Sequence, residues 1–284
     1  MDIKVSIIVS TYNSEEWLKK VLWGFNCQTC RNFEVVIADD GSRVQTEILL
    51  NAMDSEVFYP LVHVWQKDEG FQKSKILNTA ILSCNSEYII MTDGDCIPRK
   101  DFVETHVKKR QKGYLISGGY SKLPLSISNL ITKEDIVKQS CFSIKWLNSH
   151  ESENKYKNRK LSASPSQAPF LNWFTTTKAT WNGHNSSGWK EDILAVNGFD
   201  ERMQYGGEDR ELGERLFNYG IKSKQLRYSA ICVHLKHERA YKNEESIVKN
   251  KQIRKVVKDS KAKWTAYGIK QEENYVHPKL LSNV

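Results

Sequence analysis

Apolar and polar positions alternate in blocks along the first hundred or so residues. Val5-Ser6-Ile7-Ile8-Val9 is a short apolar run of the buried-strand type. Asn13-Ser14-Glu15-Glu16 then reads as a helix start, with Asn13 as N-cap and Glu16 three residues on. Trp17, Leu18, Val21, Leu22 and Phe25 recur at helical spacing behind it. The pattern repeats as a strand from Phe33 to Ala38, a helix from Gln45 to Met53 and a strand from Leu61 to Trp65. A helix from Lys73 to Ser83 and a strand from Glu87 to Thr92 complete it. Such alternation predicts βαβ units and a mostly parallel, Rossmann-like sheet flanked by helices. Polar residues gather just after the strands, at the edge where open α/β sheets bind ligands.

The second half is less regular. His150 to Gln167 is rich in Ser, Asn, Lys and Glu and reads as a loop. Trp189 to Val196 reads as a short helix, and Asn197-Gly198-Phe199-Asp200 as a turn. Glu208 to Tyr219 is a helix closed by Gly220, and Tyr228 to Val233 a short strand. From Glu238 onward the chain reads as a polar, lysine-rich helical tail.

Composition narrows the class. The chain has 284 residues, 39% hydrophobic and 27% charged, which fits neither a disordered chain nor a membrane bundle. No run approaches the ~18 apolar residues of a membrane span. The first residues enter a strand pattern with no signal-peptide character, so a cytoplasmic chain with reduced cysteines is expected. The net charge of +8 invites a polyanionic partner. Much of the excess lies in the tail, at Lys249, Lys251, Arg254, Lys255, Lys258, Lys261 and Lys263. Without interleaved aromatics this is not a nucleic-acid surface. It is either a solvated helix or, with the partial stripe Ile247, Ile253, Val256 and Val257, a peripheral contact for an anionic membrane.

Four clusters can carry chemistry. Asp93-Gly94-Asp95 follows a buried strand and places two carboxylates on one side of an extended segment. That suits a hard divalent cation, Mn²⁺ or Mg²⁺, although Asp-Gly is also an ordinary turn. Asp39-Asp40-Gly41-Ser42 ends another strand and offers a carboxylate to a base N–H. Gly206-Gly207-Glu208-Asp209 opens a helix, where acids are either dipole partners or a general base. His234 and His237 follow a strand, so one of them can complete a metal site. Cys27 and Cys30 form a lone CxxC; with no second pair, Cys27 reads as a small hydrophobe at a helix end.

Taken in order, Val5 to Asn13, Gln28-Thr29, Val36 to Ser42 and Asp93-Gly94-Asp95 resemble the opening of family 2 glycosyltransferases of the GT-A fold. Lys75-Ile76-Leu77-Asn78 resembles their stretch near the donor. Trp189 to Glu201, with Gly206 to Asp209, is similar to the galactosyltransferase-type C-terminal module. The resemblance implies a nucleotide-sugar-binding half over 1–105, an acceptor-binding and catalytic half over 106–240, and a basic tail over 241–284. It implies that Thr11, Tyr12, Asn13, Asp39, Lys75, Asn78, Asp93 and Gly94 hold a UDP-sugar. Asp95, Asp93, His234 and His237 hold the metal in this scheme, and Asp209 is the base. Glu208, Gly207, Trp189 and Trp181 meet a sugar. Tyr205 stands where a tryptophan often precedes the glycines.

The function this implies is inverting transfer of a sugar, galactose or N-acetylgalactosamine by preference, to a glycan or lipid-linked acceptor in surface polysaccharide synthesis. Two other readings remain. A sugar-nucleotide nucleotidyltransferase usually carries a glycine-rich basic loop after the first strand, unlike Thr11-Tyr12-Asn13. A non-catalytic nucleotide- or glycan-binding module has no need of Asp93, Asp95 and Asp209.

Overall fold

A computed structural model describes residues 4–150, 157–237 and 243–270. The first half alternates as the pattern predicts: β1 (Val5–Thr11), α1 (Glu15–Asn26), β2 (Phe33–Asp39), α2 (Val44–Asp54), β3 (Leu61–Trp65), α3 (Lys73–Ser83) and β4 (Tyr88–Asp93). Then come β5 (Cys96–Pro98), α4 (Phe102–Lys109), β6 (Tyr114–Lys122), α5 (Leu125–Leu130), α6 (Lys133–Val137) and α7 (Ile144–Ser149). The remainder holds α8 (Ala168–Phe174), β7 (Ser186–Trp189), α9 (Lys190–Ala195), α10 (Glu208–Tyr219), β8 (Lys222–His234) and α11 (Glu244–Ser260).

The described strands form one sheet in the order β3-β2-β1-β4-β7-β6-β8-β5. β3, β2, β1 and β4 run parallel; β7 is antiparallel to both β4 and β6, and β5 to β8. The sheet is therefore mixed: β6 and β8 are again parallel, and the antiparallel pairs are those made by β7 and β5. Strand neighbours show why the runs are apolar throughout rather than alternating. Ile7, Val9, Val35, Ile37 and Ile90 face α1, α2 and α4, whereas Ile8, Val36, Ala38, Ile89 and Met91 face α3 and α10. Both faces are covered, so every position is buried. Strand order reverses about β1, which lies between β2 and β4. The crevice at such a reversal, beyond the strands' carboxyl ends, is a ligand site.

The described segments depart from the sequence reading in five places. Asn13 is not the N-cap of α1: it adopts φ 45°, donates its N–H to Ser42 Oγ (2.8 Å) and accepts from Arg43 N–H (2.9 Å). Ser186-Ser187-Gly188, for which the pattern predicts no element, form with Trp189 the interior strand β7. Strand β8 begins at Lys222, ahead of the expected Tyr228. Part of the expected loop, Lys157–Ser162, is a 3₁₀ helix, and 151–156 lie outside the described residues. The tail helix stops at Ser260, where Lys261 turns left-handed; residues 238–242 and 271–284 lie outside the described residues. No helix of the described residues is long and apolar enough to cross a membrane.

Candidate active site

A cavity of about 990 Å³ opens at the reversal point. Ser10 to Ser14 reach it from the end of β1, and Asp93, Gly94 and Asp95 from the end of β4. Tyr120 and Lys122 come from β6, Trp181, Asn182 and His184 from the segment before β7, and His234 and His237 from the end of β8. Gly206 to Arg210 enter from the start of α10, and Ile247, Lys251 and Arg254 from α11. Thus Thr11, Tyr12, Asn13, Asp93, Gly94, Asp95, Trp181, Gly207, Glu208, Asp209, His234 and His237 converge as the sequence reading requires.

Four expected residues do not line it. Asp39 is fully buried; its carboxylate accepts Ser42 N–H (2.8 Å) and bonds His63 Nε2 (2.9 Å), closing the turn after β2. Asp40 faces the cavity instead. Lys75 lies two helical residues beyond the lining Lys73, a rotation of roughly 200° that turns it away. Asn78 is a structural clamp: its Nδ2 donates to Phe199 O (3.0 Å) and Glu201 Oε1 (2.9 Å), and its Oδ1 accepts Phe199 N–H (2.7 Å). Trp189 pairs with Tyr88, at the start of β4, whereas the cavity lies past that strand's end. Its ring meets Tyr88 edge-on and lies under Arg110 and Lys112.

A metal-ligand set sits at one end. The ligand atoms of Asp95, His234 and His237 lie within 4.8 Å of one another, and Asp93, Asp95 and Cys96 form an overlapping group. Asp95 Oδ2 is 2.8 Å from His237 Nε2 and 3.6 Å from His234 Nε2. His234 Nδ1 lies 2.9 Å from Leu235 O, and a carbonyl only accepts. Nδ1 therefore donates to that carbonyl, which leaves Nε2 as the atom facing Asp95, the arrangement that orients histidine ligands. One carboxylate with two imidazoles fits a divalent ion such as Mn²⁺ better than Mg²⁺, which prefers oxygen.

Lys73 occupies the middle of the acids. Its Nζ donates to Asp93 Oδ1 (2.7 Å), which also accepts Ser10 Oγ–H (2.8 Å). Burial would raise the Asp93 carboxyl, but the Lys73 ammonium holds it well below the carboxylate range. Burial likewise opposes the charge on Lys73, and Asp93, Asp209 and Glu208 outweigh it. Asp209 moves the other way. Burial pushes its carboxyl up to about 7, with Glu208 and Asp93 adding repulsion, while Lys73 and the Gly183 N–H oppose. Asp40 is pushed up to about 6, first by burial, against hydrogen bonds from Gln72 N–H and Gln66 Nε2.

Local backbone supplies these positions. Gly206 and Gly207 both take positive φ, 113° and 95°, so the chain enters α10 with its first acids aimed inward. Glu208 Oε2 accepts Gly206 N–H (2.9 Å) and braces the entry. Three buried polar atoms on the lining, Thr11 Oγ1, Trp181 Nε1 and Asp209 Oδ1, have no hydrogen-bond partner among the described residues. Buried polar atoms are normally paired, so these three fit a site that receives a polar ligand. Sequence reading missed Asp40, Lys73 and His184, and the wall built by α11. Asp40 adjoined the chosen Asp39, and Lys73 opened the helix that carried Lys75.

The sheet and its reversal-point cavity have GT-A architecture. Residues 6–159 match the family described as Glycosyl transferase family 2, and 174–238 match the N-terminal domain of galactosyltransferase. The first match covers more than half of the chain, and the protein belongs to glycosyltransferase family 2. It is 24% identical over 277 residues to the uncharacterized glycosyltransferase YfnE of Bacillus subtilis, covering 87% of this chain and 69% of that one. It is 25% identical over 239 residues to the chondroitin synthase of Escherichia coli, covering 76% of this chain but 32% of the synthase. Among solved structures it resembles a Pyrobaculum calidifontis mannosyltransferase in complex with GDP-Man and Mn²⁺, at TM-score 0.56 and 18% identity. That likeness covers 85% of this chain and 59% of the other. Staphylococcus aureus TarS 1-349 in complex with UDP-GlcNAc gives TM-score 0.54 and 17% identity, covering 84% and 60%. The family match places the chain among glycosyltransferases and sets aside the nucleotidyltransferase reading.

Proposed function

We propose that the protein is an inverting, metal-dependent hexosyltransferase. It moves a sugar, galactose or N-acetylgalactosamine by preference, from UDP to a hydroxyl of a glycan or lipid-linked saccharide in surface polysaccharide synthesis. The observation that carries this reading is the shared cavity: Asp209, a carboxyl raised to about 7, faces the same space as Asp95, His234 and His237.

Asp40 accepts the base N–H, and Thr11, Tyr12 and Asn13 hold the nucleoside. Asp95, His234 and His237, with Asp93 beside them, hold the ion. When bound, it offsets charge on the departing diphosphate. Lys73 keeps Asp93 ionised and adds a positive charge at the same place. Asp209 Oδ1, without a partner among the described residues, takes the proton of the acceptor hydroxyl. As that proton leaves, the acceptor oxygen bonds to the anomeric carbon from the face opposite the diphosphate. The bond from carbon to the diphosphate oxygen breaks, and nucleoside diphosphate departs. One displacement inverts the configuration. Glu208 meets the sugar; Trp181, fully buried in the core at the cavity wall, offers it no ring face.

The test is Asp209→Asn. Transfer should fall by about 10²–10⁴-fold, with donor affinity unchanged in a binding assay. Near-normal turnover by this variant would remove Asp209 as the base.

A further inference from the structure

Helix α8 carries a feature the active site does not use. Phe170, Trp173 and Phe174 are 63%, 79% and 68% exposed. Spaced i, i+3 and i+4, they share one face. Their rings pack on one another: Phe170–Phe174 at 5.7 Å, Trp173–Phe174 at 6.0 Å and Phe170–Trp173 at 6.4 Å. The opposite face is pinned. Buried Asn172 donates to Ser229 Oγ (2.8 Å) and accepts Tyr228 N–H (2.8 Å), fixing the helix on β8. Three large aromatics are thus held outward by design of the inner face. An exposed patch of this kind marks an interaction surface.

Charge identifies the partner. Residues 154–185 contain Lys155, Lys157, Arg159, Lys160 and Lys178, and no Asp or Glu. β8, on which α8 rests, adds Lys222, Lys224 and Arg227, again without an acid. Arg227 donates to Thr177 Oγ1, just past α8. The aromatic face thus sits on a stretch of chain that carries basic residues and no acid, and the acid near its anchor, Asp101, is neutralised by Arg99, which also bonds Ser229 O (2.8 Å). Trp and Phe seat at the headgroup level of a bilayer, and Lys and Arg add attraction to anionic lipid.

We propose that α8 docks the enzyme on an anionic lipid bilayer through Phe170, Trp173 and Phe174. The basic tail is the weaker candidate, because α11 turns Ile247, Lys251 and Arg254 into the cavity and ties Arg254 and Lys258 to Glu214. The chain after α8 runs directly to Trp181, Asn182 and His184 on the cavity wall, so docking would hold the active site close to the lipid surface.

The experiment is flotation of the full chain with vesicles of equal parts phosphatidylglycerol and phosphatidylcholine, against phosphatidylcholine alone, at moderate salt. Wild type should float with the anionic vesicles only. F170S/W173S/F174S should lose about tenfold or more of that binding, while K249E/K255E on α11 keeps most of it. These exposed substitutions should leave the melting temperature near wild type, which separates lost docking from misfolding. Donor hydrolysis without vesicles reads the active site independently and should not change in F170S/W173S/F174S. Wild type that ignores anionic vesicles, or a triple variant that binds them as wild type does, overturns the proposal. So does a wild-type dimer that this variant converts to monomer, which would make the face a contact with a second copy.

Discussion

Lys73 and Asp209 set the acid–base behaviour of the cavity together. A base works only when deprotonated, so kcat/KM should rise about tenfold per pH unit below the Asp209 value, near 7, and level off above it. Lys73 opposes the upward shift of Asp209. Lys73→Met removes that opposition, so the acidic limb should move to higher pH as well as losing height. A pH–rate profile of the two proteins checks both the position and the direction. An unchanged limb would place the titrating group elsewhere. Gly183 gives a steric counterpart: a Cβ there would lie 2.9 Å from both carboxylate oxygens of Asp209. At this scale the sequence is only half legible. It marks Asp39 and Asp40 as a pair but not which one faces the ligand, because β2 is buried on both faces and alternation carries no signal there.

Among the elements, the turn after α9 is the joint that ties α3, α10 and the segment after α11 together. Arg215, fully buried on α10, makes two bonds of 2.6 Å to Glu211 and donates to Val196 O and Gly198 O. Asn78 on α3 grips the same turn from the other side at Phe199. Asn197 holds the segment after α11 through Thr265 O (2.7 Å) and Lys270 O (3.0 Å). Arg215→Ala leaves Glu211 buried and unpaired, and should cost about 3–5 kcal/mol, read as a lower urea midpoint. A loss within error would mean the charge is not confined. The alternation of β1 to β4 is legible because each element has its own period. β7 is not, because Ser186, Ser187 and Gly188 carry no apolar signal. Their smallness serves packing: Tyr88 and His106 both bond Ser187 Oγ at 2.7 Å, and a Cβ on Gly188 would lie 3.0 Å from the Trp181 ring.

For the molecule as a whole, residues far apart in sequence meet because β5, which starts just after Asp95, pairs antiparallel with β8 and sets Cys96 opposite His234. Asp93 and Asp95 are adjacent to β4 in the chain, whereas His234 and His237 arrive from the end of β8. The composite set is legible as a hypothesis from residue type and position after a strand. The wall built by α11 is not, since a lysine-rich helix reads as solvated from its composition. The account stands on the ion and the nucleotide sharing one site. The direct measurement is calorimetric titration of UDP into wild type and Asp95→Ala, each with Mn²⁺ and with chelator. Mn²⁺ should tighten UDP binding to wild type by about tenfold or more, and should leave the affinity of Asp95→Ala unchanged. Equal tightening in both proteins would contradict the assignment of Asp95, His234 and His237 as the metal centre.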